Sequence, residues 1–305
     1  MTYQTEVDFH PLYELALSMT VFTHKKSHYD LDKQWFETME AKVSPSFKEK
    51  TKDEEKLEYI GYLMILMWKC PKKNSLSEFL QWFHEFSVGE IYEMLIPYLG
   101  EQQPKDLGAF RDFYSELLVS WNDVYSMEEK KINLLADMAS FLKEKSQTMD
   151  PVDFVENCTN GIRIFPMEDL HHVILVPSYH MAPLNRIYDL NHTLFVHIPI
   201  DQPSESSMIP SISFMRKTKA LADAKRLRIL QYLSDEPKTF TEIGKEMKLS
   251  KSNLHYHLTL LRTAGLVRIT NYKFKQPDKY ETRPLGFSAL KEDIESYVFE
   301  NRVKF

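Results

Sequence analysis

The sequence predicts a mainly helical α+β protein, with an N-terminal helical domain that carries a small antiparallel sheet and a C-terminal helix-turn-helix followed by a β-hairpin. Three observations predict this fold class. Apolar residues recur at helical spacing up to about residue 158, strand-like alternation occupies residues 160–200, and short capped helices with a hairpin pattern fill residues 211–305. Residues 201–210, rich in Pro, Ser and Glu, are predicted to link the two domains, 1–200 and 211–305.

The N-terminal domain divides in two by its hydrophobic period. Prolines and glycines separate the helical segments, and the period changes to two after Gly161. Helices are predicted over residues 11–24, 31–43, 53–69, 76–86, 88–99, 110–121 and 127–145. Strands are predicted over residues 162–165, 173–178, 186–189 and 193–200.

The first helix of the C-terminal domain is predicted to begin at Ala224, because the Asp223 carboxylate can cap it. Leu227, Leu230 and Leu233 follow at three-residue spacing and form a candidate apolar stripe. The opposite face is predicted to be basic. It carries Lys225, Arg226 and Arg228.

Two further helices follow at a tight corner. Thr239 and Glu242 have the spacing of a capping box for a short helix over residues 240–248. Leu249 fills the corner, Ser250 caps a helix over residues 251–264, and Gly265 stands where a left-handed C-terminal cap favours glycine. The apolar side of this third helix consists of Leu254, Leu258 and Leu261. Two helices joined by so short a connection must cross.

A β-hairpin over residues 267–283 is predicted behind the third helix, because Val267 and Ile269 alternate with polar residues and a turn signal stands at Gln276, Pro277 and Asp278. A helix-turn-helix with such a hairpin, or wing, is a winged helix-turn-helix. It presents one helix and one loop to the same partner.

The polar side of the third helix is rich in donors, acceptors and cations of a size suited to groove edges and phosphates. The predicted DNA contacts on and before this helix are Ser250, Lys251, Ser252, Asn253, His255, Tyr256 and Arg262. The wing is predicted to hold phosphates through Lys273, Lys275 and Lys279. His257 comes three residues after Leu254, so it is predicted to lie at the edge of the core.

The charge distribution favours the same partner. Residues 216–283 contain 16 Lys and Arg against 7 Asp and Glu, a balance of +9, whereas residues 1–215 contain 19 against 33, a balance of −14. The whole chain has a net charge of −6. A basic module attached to an acidic one creates a local positive field where phosphates dock.

Three sequence blocks resemble the ArsR-type winged-helix transcriptional regulators. They are Asp-x-x-Arg-Leu-x-Ile-Leu from Asp223, Leu-Ser at the corner, and Leu-x-x-Ala-Gly-Leu-Val from Leu261. The resemblance covers roughly the last 95 residues and implies a regulator, most simply a repressor, that reads an inverted repeat in double-stranded DNA. Family members typically have Ser-His-His-Leu late in the recognition helix, where this chain has His255, Tyr256, His257 and Leu258.

The resemblance also implies a homodimer. Residues 212–221 and the terminal helix correspond to the helices that form the dimer interface in ArsR-type regulators. The terminal helix has an apolar face made of Phe287, Leu290, Ile294, Tyr297 and Val298.

The N-terminal domain resembles an extension that some ArsR-type regulators carry ahead of the winged helix. The matching segments are His-Pro-Leu-x-Glu-Leu from His10 and Val-Pro-Ser-x-His from Val176. The resemblance implies a regulatory or effector domain without naming the effector. An organic effector or a partner protein is expected, because metal ligands are lacking and DNA binding alone does not require a domain of about 200 residues. Its many aromatic residues, among them Trp35 and Trp121, either line a ligand pocket or form ordinary core.

No metal site and no cofactor are predicted. His24 and His28 are four residues apart, but they stand at a helix end beside two lysines, which favours a solvated terminus. His192 and His197 are five residues apart and would point to opposite faces of a strand. The other histidines of the strand region are His171, His172 and His180. The segments where ArsR-type metal sensors hold their ligands lack Cys at 239–248 and His at 285–305.

The sequence contains no GxGxxG, Walker, HExxH or GxSxG motif, so no enzymatic activity is predicted. Two other classes stay open: a winged-helix interaction or scaffold protein without specific DNA binding, and an enzyme within the N-terminal domain. The basic C-terminal domain argues against the first. A polar-lined cavity with a bound small molecule would favour the second.

The chain is predicted to be cytoplasmic and to have no membrane segment. The longest apolar run, over residues 59–68, is shorter than the roughly 18 residues that a membrane helix needs. The first residues lack the basic and apolar regions of a secretory signal. Cys70 and Cys158 are isolated, as expected of a reduced protein without disulfides.

Overall fold

The computed structural model describes residues 2–24, 29–71, 73, 75–100, 103–204, 206, 208–271 and 278–300. The helices are α1 (Pro11–His24), α2 (Lys33–Lys42), α3 (Pro45–Lys50), α4 (Glu54–Glu58), α5 (Ile60–Lys69), α6 (Leu76–Glu85), α7 (Val88–Leu95), α8 (Leu107–Asn122), α9 (Glu129–Ser146), α10 (Pro151–Cys158), α11 (Ile212–Leu221), α12 (Ala224–Tyr232), α13 (Phe240–Met247), α14 (Lys251–Thr263) and α15 (Pro284–Glu295). The strands are β1 (Gln4–Val7), β2 (Ile162–Ile164), β3 (His172–Ser178), β4 (Arg186–Leu190), β5 (Thr193–Pro199), β6 (Lys238–Thr239), β7 (Val267–Asn271) and β8 (Lys279–Thr282). The mainly helical α+β class is confirmed.

The chain forms two compact units. The first unit comprises residues 1–148 and 168–200, and the second comprises residues 149–167 and 201–305. The predicted boundary near residue 200 therefore differs from the structure for residues 149–167. This segment carries α10 and β2, and β2 pairs in parallel with β7 of the hairpin instead of joining the N-terminal sheet.

The core of the first unit is built around helices that are buried on almost every side. Every residue from Leu12 to Phe22 of α1 is buried, as is every residue from Ile60 to Met67 of α5. A helix that is apolar all round belongs in a core. Helix α1 nevertheless includes the buried polar residues Glu14 and Ser18. Both find partners, because the Glu14 carboxylate accepts from the Tyr179 N–H at 2.9 Å and the Ser18 hydroxyl accepts from Nε1 of Trp121 at 2.9 Å.

The sheet of the first unit has the strand order β1-β3-β5-β4. Strand β3 runs parallel to both β1 and β5, and only β4 is antiparallel to β5. The predicted antiparallel sheet is therefore mixed. Almost every residue of β3 and β5 is buried, on both faces, which is typical of parallel strands covered on two sides.

The predicted winged helix-turn-helix is confirmed in the second unit. Helices α12, α13 and α14 are followed by the antiparallel strands β7 and β8, and β6 pairs with β8. Leu254, Leu258 and Leu261 are buried in the core of this unit, as predicted.

Two predicted orientations on α12 were wrong. Leu227 is 49% exposed, whereas Ile229, Leu230 and Leu233 are buried. A strict three-residue spacing drifts about 60° per step around a helix of 3.6 residues per turn, so Leu227 and Leu233 cannot both face the core. Arg226 is buried, and its guanidinium donates to the carbonyl oxygens of Ala220 and Lys219 at 2.6 and 2.8 Å.

Candidate nucleic-acid interface

The corner between α13 and α14 is fixed by local hydrogen bonds. The Thr239 hydroxyl accepts from the backbone N–H of Glu242 at 3.4 Å, and the Glu242 carboxylate accepts from the Thr239 N–H at 2.7 Å, so the predicted capping box is present. Lys248 ends α13 in the left-handed region with φ 53°, and the Ser250 hydroxyl accepts from the Asn253 N–H. These caps set the direction in which α14 leaves the corner.

Helix α14 has one buried and one solvent-facing side. The predicted contact residues on its first two turns are all exposed, and Tyr256 is 48% exposed. They are Lys251, Ser252, Asn253, His255 and Tyr256. His257 is buried beside Leu258, as predicted, and burial lowers its pKa although the Asp223 carboxylate opposes this shift. The orientation of the helix leaves hydrogen-bonding side chains on the face available to a partner.

Arg262, on the last turn of α14, and Lys279, at the start of β8, are further predicted contact residues. Arg262 is half-buried near Tyr280 of β8, and burial lowers its pKa while the phenol opposes the shift. Lys279 is exposed and pairs in register with Thr239 of β6. The other two predicted wing cations, Lys273 and Lys275, lie outside the described residues.

A buried ionic cluster, which the sequence did not predict, joins α10 and β2 to the hairpin. We call Glu156, Arg163, Arg268 and Arg283 the glutamate cluster. The carboxylate of Glu156 lies 2.5 Å from Nη1 of Arg163, 3.3 Å from Nη1 of Arg268 and 3.2 Å from Nε of Arg283. Three guanidinium groups from three strand or strand-end positions thus converge on one carboxylate.

The arginines of the cluster have further partners. Asp153 accepts from Arg163 at 2.9 Å, Glu281 accepts from Arg268 at 3.1 Å, and Asn160 accepts from Arg283 at 3.0 Å. Burial raises the pKa of Glu156, but the hydrogen bonds and charges of the arginines outweigh it and hold this pKa below its ordinary value. No local pattern marks Glu156, since Arg283 is 127 residues away in the sequence.

Helices α11 and α15, the predicted dimer helices, lie against each other. Lys217 forms an ion pair with Asp293 at 2.7 Å, and the rings of Phe214 and Tyr297 are 5.7 Å apart. Leu290 is buried, but several large apolar side chains of these helices and their ends are exposed. They are Ile212, Met215, Leu285, Ile294, Val298 and Phe299.

The histidines that are candidate metal ligands contact different neighbours. His180 is bonded to Glu14, and the ring of His171 stacks on that of His192 at 4.7 Å. Burial, with a smaller contribution from the Arg186 charge, lowers the pKa of His197 to about 3. His28 lies outside the described residues. Among the residues that the structure describes, no group of three or more His, Cys, Asp or Glu side chains could hold a metal ion.

Among the described residues, no helix has both the length and the apolar character that crossing a bilayer requires.

The fold and the exposed face of α14 define a winged helix-turn-helix, a DNA-binding class of domain. Residues 221–270 match a family model described as a helix-turn-helix domain. Together with the three sequence blocks, this match places the second unit of the chain among the ArsR-type winged helix-turn-helix regulators. No curated protein matches the chain.

Several solved structures are similar to part of the chain. HlyU from Vibrio cholerae is 30% identical, over 28% of this chain and 91% of that protein, with a TM-score of 0.23. NolR from Sinorhizobium fredii is 25% identical, over 32% and 97%, with a TM-score of 0.25. The homodimeric winged helix-turn-helix domain Mb0332 from Mycobacterium bovis, titled a possible ArsR-family transcriptional regulator, is 18% identical, over 30% and 88%, with a TM-score of 0.23.

Proposed function

We propose that this protein is a transcriptional regulator that binds an inverted-repeat operator as a homodimer and represses the adjacent promoter. The observation that carries the proposal is the solvent-facing side of α14, where the corner caps hold donors, acceptors and cations clear of the core. Base edges are read by such side chains and phosphates by lysines at the wing.

Dimerisation is supported by the exposed apolar side chains of α11 and α15. Ile212 and Met215 on α11, with Ile294 on α15, would cost free energy if left in water, and a second copy of the same helices can cover them. A two-fold dimer presents two copies of α14, and this symmetry supports an inverted repeat as the operator. Repression is the simpler mode, because a dimer bound across a promoter excludes the polymerase without a further contact.

The interaction-protein alternative is less well supported. A winged helix recruited only for protein contacts has no requirement for Lys251, Arg262 and Lys279 around one face. The first unit is not needed to read DNA, so we assign it the sensing of an effector or partner.

Binding to duplex DNA is expected to weaken steeply as salt increases. Each phosphate neutralised by a lysine or arginine releases counterions, so the logarithm of the association constant should fall linearly with the logarithm of salt concentration, by about 0.9 per contact. Fluorescence anisotropy with a labelled fragment of the protein's own promoter measures the slope, and sedimentation measures the dimer. A stable dimer that leaves this fragment unbound at low salt would refute the proposal.

Base reading and phosphate contact should separate by mutation. His255→Ala or Tyr256→Ala is expected to reduce the discrimination between operator and random DNA by roughly 1 to 3 kcal/mol, because these side chains face the groove. Lys279→Ala should weaken binding to both DNAs by the same factor. Lys130→Ala, which removes one exposed positive charge from α9, is the control and should change neither. Equal losses on both DNAs for the two α14 variants would mean that other residues read the bases.

A further inference from the structure

We propose that a cleft in the first unit binds a small organic cation with an apolar body. We call it the aromatic cleft. We further assign this cation the role of effector for DNA binding, and this assignment rests on the proposed function. The cleft has a volume of about 280 Å³ and is lined by the start of α2, the segment between α8 and α9, and the residues that follow β3.

Aromatic rings form the walls of the cleft. The ring of Trp35 lies 5.5 Å from that of His180, and the rings of Tyr125 and Tyr179 lie 5.3 and 5.0 Å from the same imidazole. All four residues line the cleft. Aromatic faces attract cations through the ring quadrupole, and most strongly where several rings surround a desolvated site.

A buried hydrogen-bonded chain holds these walls in place. Glu14, which is 1% exposed, accepts from the Tyr179 N–H at 2.9 Å and lies 2.5 Å from Nδ1 of His180, 166 residues away in the sequence. Nε2 of His180 lies 3.1 Å from the hydroxyl of Tyr125, whose ring stacks on Trp121 at 5.6 Å. A ligand therefore meets rings whose positions are already fixed, which lowers the entropy lost on binding.

The hydrogen bonds among Glu14, His180 and Tyr125 place no net positive charge on the wall of the cleft. In the neutral imidazole Nδ1 donates to the Glu14 carboxylate, so Nε2 accepts from the Tyr125 hydroxyl and the phenol oxygen keeps acceptor capacity. Burial and the Glu14 charge raise the pKa of Tyr125, so its hydroxyl stays protonated. Even with a protonated imidazole, the Glu14 and His180 pair has no net positive charge.

The described residues at the rim of the cleft carry more carboxylates than ammonium groups. The carboxylates are those of Asp30, Asp32 and Glu128, and the ammonium group is that of Lys131. The lysine is already matched, because its Nζ lies 2.6 Å from Glu128 and 4.8 Å from the centre of the Tyr179 ring. Its position shows an ammonium group held by a carboxylate and an aromatic face of this cleft.

The aromatic walls and the carboxylates at the rim together select one class of ligand. An anion would be repelled by these carboxylates, and a neutral apolar molecule would gain nothing from their charge. A protonated or quaternary amine with an apolar body satisfies both the rings and the carboxylates. If such a ligand binds the two DNA-affinity states of the dimer unequally, it changes operator affinity by the same ratio.

The test uses the full chain and two pairs of probes that differ mainly in charge. Choline is compared with 3,3-dimethylbutan-1-ol, and 2-phenylethylamine with 2-phenylethanol, by isothermal titration at neutral pH. At least one cation is expected to bind at least tenfold more tightly than its neutral counterpart. If neither cation shows binding at concentrations up to the millimolar range, the proposed site is refuted. Equal binding of cation and neutral partner refutes the proposed ligand class.

Matched variants locate the binding. Asp32 caps α2 by accepting from the Trp35 N–H at 2.6 Å, and asparagine is an equally good cap, so Asp32→Asn removes charge while keeping the helix start. This substitution should weaken binding of the cation several-fold and leave the affinity for the neutral probe unchanged. Asp53→Asn is the control, because Asp53 caps α4 in the same way outside the cleft. Trp35→Phe is a second variant that should weaken binding of the cation. Equal affinities for all these variants and the parent chain would overturn the assignment.

Failure here is distinguishable from failure of the proposed function. Probe binding is measured without DNA, and operator binding is then measured with and without the probe. A protein that binds the cation but no DNA refutes the regulator and leaves the site intact, whereas the reverse result refutes only the site. Binding of both without any change in operator affinity refutes the effector role.

Discussion

Glu156→Ala is expected to destabilise the second unit by about 3 to 5 kcal/mol. The substitution removes the carboxylate on which Arg163, Arg268 and Arg283 converge. Arg283 is itself buried, and among the described residues its remaining hydrogen-bond partners are neutral: the Asn157 and Asn160 side chains and the Gly265 carbonyl. The cost of an uncompensated buried charge is much larger than that of a lost surface ion pair.

Peptide-resolved hydrogen exchange is the appropriate measurement, because the chain has two compact units that need not unfold together. Protection should fall in peptides of β7 and α14 and stay unchanged in α5. Asp153→Ala is the matched control, since Asp153 also pairs with Arg163 but is exposed, and its loss should cost less than about 1 kcal/mol. Equal effects of the two substitutions would show that the cluster does not stabilise the unit.

The same cluster predicts a dependence on pH. Because the arginines hold the pKa of Glu156 below its ordinary value of 4.5, the folded state binds the proton more weakly than the unfolded state. The stabilisation is complete above that ordinary value and is lost as pH falls through the lowered pKa. The difference in free energy of unfolding between the parent chain and Glu156→Ala should therefore become smaller as the pH falls. A difference that stays constant with pH would contradict a stabilising role of the Glu156 charge.

Gly286→Ala is expected to destabilise the second unit by about 3 kcal/mol, at the upper end of the usual cost of overpacking. A Cβ atom at position 286 would lie 2.0 Å from the carbonyl oxygen and 2.8 Å from the carbonyl carbon of Gly265. Both are backbone atoms of the turn that follows α14, where Gly265 has φ +71°. Relief would require the start of α15 to move away from that turn. Hydrogen exchange of peptides from α14 and α15 measures the loss within this unit.

Gly244→Ala is the control in the same unit. Its added Cβ would meet only the end of the Leu254 side chain, at 3.4 Å, and alanine is favoured over glycine inside a helix such as α13 by up to about 1 kcal/mol. This variant should be neutral or slightly more stable. Sedimentation of Gly286→Ala adds a second readout, since a displaced α15 should also weaken the proposed dimer. Stability and dimerisation equal to those of the control would rule out the close packing of α15 on the turn.

The sequence by itself determined the parts of the protein whose causes are local. The capping box of Thr239 and Glu242, the cap of Ser250 and the left-handed Gly265 depend on hydrogen bonds and backbone preferences within four residues, and all were predicted. The solvent-facing side of α14 followed from the helical period of its leucines. These features were enough to identify the winged helix-turn-helix.

Tertiary structure alone decided which distant segments meet. Three contacts join residues more than 100 positions apart, and no periodicity within a short window encodes such contacts. They are the pairing of β2 with β7, the contacts of Glu156 with Arg268 and Arg283, and the contact of Glu14 with His180. Charged residues are normally solvated, so nothing in the local sequence indicates that Glu14 and Glu156 are buried, and only packing supplies their partners. The aromatic cleft and the link between α10 and the wing therefore could be recognised only in the folded chain, because burial of a charge depends on topology and local sequence does not set it.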